Sequence, residues 1–472
     1  MSAVEQASQK RGTSYSGILK LVWPLALGMV NNALMQFVDR AFLSTYSMAA
    51  LEAVLPASML AFVALGFFQS IVGYSGTFVA QYHGARNAKM EVLSYRSGVF
   101  IAIVSGLLMF AFIPIGDFIF RFSGHSPEVC ALENEYYRIS VGGGIFLFLQ
   151  MAASSYFTGR GHTRLVFFVN VLGNVLNIAI DPIFIFGWRF IPEMGVAGAA
   201  YATVASMAVQ WIVLASFSAF QRIKERGRLR ERTSSVEFFS LVWRILRFGI
   251  PSGGYSVLNI LSFTVFVFVT GRVSDVALAV SNACFTVNYL LFAPMEGFAL
   301  GAATLVGQAQ GRRDSVAAKR DGMRTVFLGV LTVVVPSLLT VIFYRPILSV
   351  FAPEDPLFAA EFISMGFILL VLMAVWQVFD AADVILSGAL KGAGDTGFVM
   401  CWILVAAFGI WLPLVFAVVK FCNTMPALWA TMVVYVVIMF VGSMIRWHRG
   451  KWMSINVLKT HRAKISAGKH SE

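Results

Sequence analysis

Apolar residues fill this chain in long runs, and short polar breaks separate them. Twelve runs lie near 18–43, 52–81, 97–120, 137–158, 163–187, 196–219, 246–270, 276–308, 324–347, 361–390, 397–419 and 426–446. Each approaches the ~20 residues that cross the hydrocarbon core of a bilayer as a helix. Several are longer, which predicts tilt or extension beyond the bilayer.

The pattern repeats. Advancing Pro24 by 227 positions gives Pro251 (24 + 227), and the same shift carries Asn32 to Asn259, Ser47 to Ser274, Thr77 to Thr304, Gln81 to Gln308, Gly84 to Gly311 and Arg86 to Arg313. Beyond Gly311 the register slips, so that Gly161 and Thr163 match Gly394 and Thr396 at a shift of 233 (394 − 161). Six spans per half is an even number. Both halves therefore insert the same way up, related by an axis along the membrane normal, and two such repeats around a central site suit alternating access.

The breaks alternate in sign. His83 to Arg96 carries Arg86, Lys89 and Arg96, Asp117 to Glu135 is mostly acidic, and Gly159 to Arg164 is basic again. The segment Gln221 to Glu237 carries Arg222, Lys224, Arg226, Arg228, Arg230 and Arg232. Arg312, Arg313, Lys319, Arg320 and Arg324 follow the eighth span, Glu354, Asp355 and Glu361 follow the ninth, and the tail from Arg446 is basic. The weakest basic connection follows the tenth span, where Lys391 is expected to face Asp395. Even-numbered spans thus end on the basic side, so both termini are expected in the cytoplasm. The expected organisation is a cytoplasmic segment 1–17, a first lobe 18–220, a basic linker 221–240, a second lobe 241–446 and a basic tail 447–472. Lys10 and Arg11 precede the first span with no small-residue cleavage site after them, so that span reads as uncleaved.

Composition agrees with a membrane protein. Apolar residues make up 58% and charged residues 13%, with a net charge of +12, against about 45–50% and 25% in soluble domains. The positive charge sits in connections and tails, which excludes a nucleic-acid-binding face. Cys130, Cys284, Cys401 and Cys422 show no zinc spacing, and their apolar surroundings argue against a disulfide framework. Gly392 to Gly397 fits GxGxxG but joins two spans with no strand before it, so it is a close-packing loop rather than a dinucleotide site. No HExxH, GxSxG or phosphate-loop sequence supports an enzyme.

Ionisable residues inside the spans carry the functional signal, because each costs about 2.5–3.5 kcal/mol or more unless a cavity or partner receives it. Five carboxylates stand out: Asp39, Asp181, Glu296, Asp380 and Asp383. Asn174, Asn177 and Asp181 share one face of the fifth span by their spacing. Such a stripe must face inward, as a site or as interhelical hydrogen bonds. Asp39 is either part of that site or an end residue paired with Arg40. Asp380 and Asp383, with Gln377 one turn earlier, could hold a proton or a cation, whereas Asp383 could also simply be satisfied by a neighbouring helix. Glu296 follows Pro294 and occupies the position of Gln69 in the first copy (69 + 227). Asn32 and Gln36 are further polar candidates for the cavity.

These residues resemble the multidrug and toxic compound extrusion (MATE) family across nearly the whole chain. The resemblance rests on Val38 to Leu43, on the segments Val79 to Ala85 and Leu305 to Gly311, on Asn170 to Thr203, and on Gln377 to Thr396. It implies an all-α polytopic protein of twelve transmembrane helices in two six-helix lobes. It also implies a secondary antiporter, without cofactor, exporting cationic amphipathic small molecules against inward H+ or Na+. By position, Asp39, Asn177 and Asp181 match a first-lobe cation site that could include Tyr136 and Thr203. Asp380 matches a second-lobe acid, but the acid that accompanies it early in the seventh span is replaced here by Asn259. Glu296 or Asp383 would have to supply that charge, so the first-lobe site is the favoured one. No metal other than Na+ at these sites is expected. The remaining expectations are a monomer in a lipid bilayer, with a bacterial inner membrane suggested by the short loops. A lipid-linked saccharide flippase is the alternative, disfavoured because the intramembrane charges are mostly acidic. A membrane enzyme or a channel lacks the necessary constellation.

Overall fold

The computed structural model of the protein describes residues 13–224, 234–272, 275–353, 355–455 and 457–458. Lys10, Arg11, Arg226 to Arg232, Glu354 and the tail beyond 458 lie outside the described residues. Among the described residues every regular element is helical, apart from one isolated bridge between Trp188 and Ile191.

Among the described residues, eleven helices are long and apolar enough to span a membrane. The pair Pro127–Gly142 and Gly144–Gly159, bent by 40°, makes twelve when taken as one span. In order the others are Tyr15–Tyr46, Met48–Gly84, Ala88–Arg121, Thr163–Ile185, Gly195–Gln221, Ser235–Thr270, Ala277–Gly311, Ser315–Ile342, Phe358–Ala393, Thr396–Phe421 and Met425–Arg449. The predicted twelve-helix pattern therefore holds, but most helices overrun their apolar cores. Apolarity marks only the lipid-covered length, whereas polar caps fix where the helix starts. The third span was expected from 97 but begins at Ala88, because Asn87 accepts the amide of Met90 at 3.1 Å. The ninth stops at Ile342 rather than 347 and is followed by a short helix, Tyr344–Ser349.

The duplication is visible in backbone detail. Arg86 and Arg313, related by 227, both adopt left-handed φ, at 57° and 59°. The next residues, Asn87 and Asp314, cap the third and ninth spans, and Asp314 accepts the amide of Ala317 at 2.9 Å. Where the ends of the second and eighth spans cross, a methyl on Gly84 would overlap the carbonyl of Gln308, and one on Gly311 the carbonyl of Gln81.

The chain forms two compact units. One comprises Asn31–Gly253, Gly307–Arg313 and Asn456–Glu472, and is called the first-half unit. The other, the second-half unit, comprises Met1–Val30, Gly254–Val306 and Asp314–Ile455. In the first-half unit, Arg160 closes the basic-loop end of four spans. It pairs with Glu91 at 3.2 Å and donates to Tyr156 (2.8 Å) and Gln221 (2.9 Å), while His83 contacts Glu91 at 3.3 Å. The second-half unit closes its basic-loop end differently. Arg446 grips Asp395 through two bonds of 2.6 and 3.0 Å and covers the ring of Phe398.

Small residues set the packing of the second-half unit. Gly388 and Gly392 of the tenth span lie against the carbonyls of Ala299 and Ala303 of the eighth; of the segment expected to pack closely, Gly392 does so, whereas a methyl on Gly397 would meet nothing within 4 Å. Its core gathers Phe266, Trp376, Trp411, Trp429 and Tyr435. A π-helical stretch, Leu404–Trp411, interrupts the eleventh span. Such stretches are rare and re-aim the side chains around them. Here Trp411 stacks on Tyr435 with centroids 4.3 Å apart and on Phe266 at 5.3 Å, while its Nε1 donates to Thr431 at 3.1 Å.

Candidate functional site

In the first-half unit, helix spacing and an interhelical approach build one polar locus. Asn174, Asn177 and Asp181 are all buried on the fifth span, confirming that their shared face turns inward. Asp39, from the first span, turns toward Asp181 rather than relying on Arg40, and the two carboxyls lie within hydrogen-bonding reach. Arg40 itself is exposed. Asn177 Nδ2 reaches Asp181 Oδ1 at 3.4 Å and Thr203 Oγ1 at 3.5 Å, and the Thr203 hydroxyl donates to the carbonyl of Ala199. Tyr136, within hydrogen-bonding reach of Ser140, faces both Asp39 and Asp181.

This locus has an excess of acceptors. Asp39 Oδ1, Asn177 Oδ1 and Asp181 Oδ2 are each buried without a hydrogen-bond donor. A buried acceptor left without a donor costs on the order of 1–3 kcal/mol. Three of them in one place have the chemistry of a proton or hard-cation site, since oxygen ligands suit such ions. Asn174 belongs to a different structure: its Nδ2 donates to Asn32 Oδ1 at 2.9 Å and ties the fifth span to the first. Gln36 lies on an exposed face.

The second-half unit holds a second cluster. Asp380, Asp383 and Glu296 interact electrostatically around Tyr255, and Asp380 and Asp383 also face Tyr435. Asp383 is buried and within hydrogen-bonding reach of Ser443, yet its Oδ1 has no donor. Glu296 is left uncovered by neighbouring protein atoms. Asn259 is exposed on the seventh span, where its backbone carbonyl accepts from Ser262. Gln377 is fully buried and engaged at both ends of its amide: its oxygen accepts from the Ser337 hydroxyl at 3.1 Å and its nitrogen donates to Asn288 at 2.8 Å. It is an interhelical tie rather than a cavity residue.

One expectation is corrected. Lys391 does not face Asp395, which Arg446 occupies. Lys391 turns the other way, into the cluster. Its Nζ lies 3.7 Å from the centroid of the Tyr255 ring and interacts with Glu296 and Asp383. The pairing was misread because Lys391 and Asp395 are one helical turn apart in sequence. The chain leaves its helix at Ala393, so that periodicity does not continue to Asp395. Tyr255 and Tyr435 carried no signal of their own among so many apolar aromatic residues.

Among the described residues, eleven apolar helices and one bent pair, built from a duplicated half with donorless carboxylate oxygens inside the spans, define a polytopic membrane-transporter fold. The MatE family model matches residues 24–183 and 251–417, and the chain belongs to this family. It is a transporter and not an enzyme. It is 28% identical over 457 residues to a probable multidrug resistance protein NorM of Thermotoga maritima, covering 95% of each chain. It is 24% identical to the uncharacterized transporter YisQ of Bacillus subtilis, covering 87% of this chain and 89% of that one. Among solved structures, an outward-facing multidrug resistance MATE transporter of the MOP superfamily superposes with a TM-score of 0.80 at 20% identity, over 98% of each chain. A MOP superfamily transporter from Pyrococcus furiosus, described as having a binding pocket of reverse polarity that suggests a different function, gives 0.81 at 20%, over 95% of this chain and 98% of that one.

Proposed function

We propose that the protein is a multidrug efflux antiporter that exports cationic, amphipathic small molecules in exchange for H+ or Na+. The three donorless oxygens of Asp39, Asn177 and Asp181 carry this reading. Two carboxylates within hydrogen-bonding reach in a low-dielectric surrounding repel each other unless a proton or cation lies between them. Tyr136 and Thr203 complete the wall of that locus. Ion uptake there removes the repulsion between two spans and shifts the balance of conformations. Release of the ion restores the repulsion. A transported cation that favours the ion-free form is then exchanged rather than co-transported. The basic connections support a cytoplasmic location for both termini, and the short loops support a bacterial inner membrane.

The test is ethidium efflux from reconstituted vesicles under an imposed pH gradient and, separately, a sodium gradient. One of the two gradients should drive efflux by the wild type, and Asp39→Asn should abolish it while the protein still inserts and folds. Undiminished ion-driven efflux by Asp39→Asn would sink the assignment of coupling to this locus.

A further inference from the structure

Lys391 lies two residues before the end of its helix at Ala393. A lysine so placed can bury its stem and extend its ammonium to the water at the helix end. This one does the reverse and seats its ammonium over Tyr255, 3.7 Å from the ring centroid. Aromatic faces recognise organic cations in this way. Lys391 interacts with Glu296 and Asp383, and Asp380 interacts with those two carboxylates, so the cluster has two negative charges in excess when all four groups are ionised. Asp383 is 3% exposed and its Oδ1 has no donor, so the cluster has acceptor capacity that Lys391 does not use. The Glu296 side chain is left uncovered by neighbouring protein atoms, so the cluster is not sealed on that side.

We propose that Tyr255, Glu296, Asp380 and Asp383 form a subsite for an organic ammonium ion, and that Lys391 is its resident occupant, displaced when a transported cation arrives. The inference rests on the reading of this protein as an exporter of organic cations and names the site where the cation lodges. The lysine is tethered, so its effective concentration is high and constant. It therefore sets a threshold, since only a cation that gains more from the ring and the carboxylates takes its place. A displaced lysine keeps its charge, so the cluster never holds all its carboxylates without a cation nearby.

The experiment measures ethidium binding by fluorescence to the full-length protein in detergent. Lys391→Met removes the charge but keeps most of the stem, and should tighten binding at least tenfold. Lys391→Arg keeps the charge and should bind no tighter than wild type. Tyr255→Phe keeps the aromatic face and should bind as wild type does. Tyr255→Leu in the Lys391→Met background should weaken binding about tenfold, as expected for loss of a desolvated cation–π contact, and should weaken it less in the wild-type background, where the lysine loses the same ring. Unchanged or weaker binding by a folded Lys391→Met protein overturns the proposal. If that variant does not fold, Lys391→Gln decides in its place, and unchanged or weaker binding there overturns the proposal. Failure of the functional reading looks different, because wild-type vesicles would then show no ion-driven ethidium efflux at all.

Discussion

Gly84 and Gly311 are the same position in two copies of one sequence, and each makes room for the carbonyl of the other copy's glutamine. Gly84 lies against Gln308, and Gly311 against Gln81. No other residue type fits either position, because even a methyl group would overlap backbone that belongs to a second helix and cannot swing aside. Gly84→Ala and Gly311→Ala are each expected to destabilise the protein by about 1–3 kcal/mol or more, the cost of overpacking a tight contact. The check is the melting temperature in detergent, compared with Gly397→Ala, where an added methyl meets nothing within 4 Å.

Asn174 and Asn177 sit one turn apart on the same buried face and should behave differently. Asn174→Leu removes only the bond to Asn32. Membrane hydrogen bonds of this kind contribute about 0.6 kcal/mol on average. A small loss of stability with retained ion-driven efflux is expected. Asn177→Leu removes one of the donorless oxygens beside Asp181 and should lower efflux at limiting ion concentration, with a smaller effect at saturating ion. Efflux assays across an ion titration, alongside melting curves, separate the two.

Gln377 offers the matching contrast in the second-half unit. Gln377→Leu leaves Ser337 and Asn288 without their partner, for an expected loss of about 1–3 kcal/mol. Substrate affinity should be unchanged once the protein is folded. A changed ethidium affinity in folded Gln377→Leu protein would show that the amide does more than tie helices.

Arg446→Ala strands Asp395, which is 5% exposed, at the basic-loop end. Removing one partner of a buried ion pair costs about 3–5 kcal/mol. Arg446 is partly exposed, so a loss near the lower limit is expected. The double variant Arg446→Met with Asp395→Asn should recover much of it, and thermal melts of the three proteins close the comparison.

The sequence announced the spans because lipid demands an apolar surface from every helix that crosses it. It also announced the inward face of Asn174, Asn177 and Asp181, because three polar residues at helical spacing can satisfy lipid in no other way. It could not announce that Asp39 meets Asp181, since that approach is set by packing between helices far apart in the chain. Lys391 was hidden by a nearer, misleading partner in Asp395. The π-helical stretch was hidden because nothing in Leu404–Trp411 breaks the apolar pattern. Its effect is nevertheless large. Phe266, which the repeat places where the first copy has Asp39 (39 + 227), stacks on Trp411, so the scaffold that holds an acid in one half holds packed aromatic rings in the other.

Arg86 and Arg313 hold left-handed backbone conformations that glycine would adopt without strain. A side chain there costs roughly 1–2 kcal/mol at each position. Both copies accept that cost, and neither arginine is needed for the cap that follows, which Asn87 and Asp314 supply. The charge at these two turns matters before any fold exists. In the orientation proposed above, with these turns in the cytoplasm, each arginine helps hold its turn on the side of synthesis while the chain threads into the bilayer. Arginine at these turns thus weakens the finished protein slightly and makes its first insertion less prone to error.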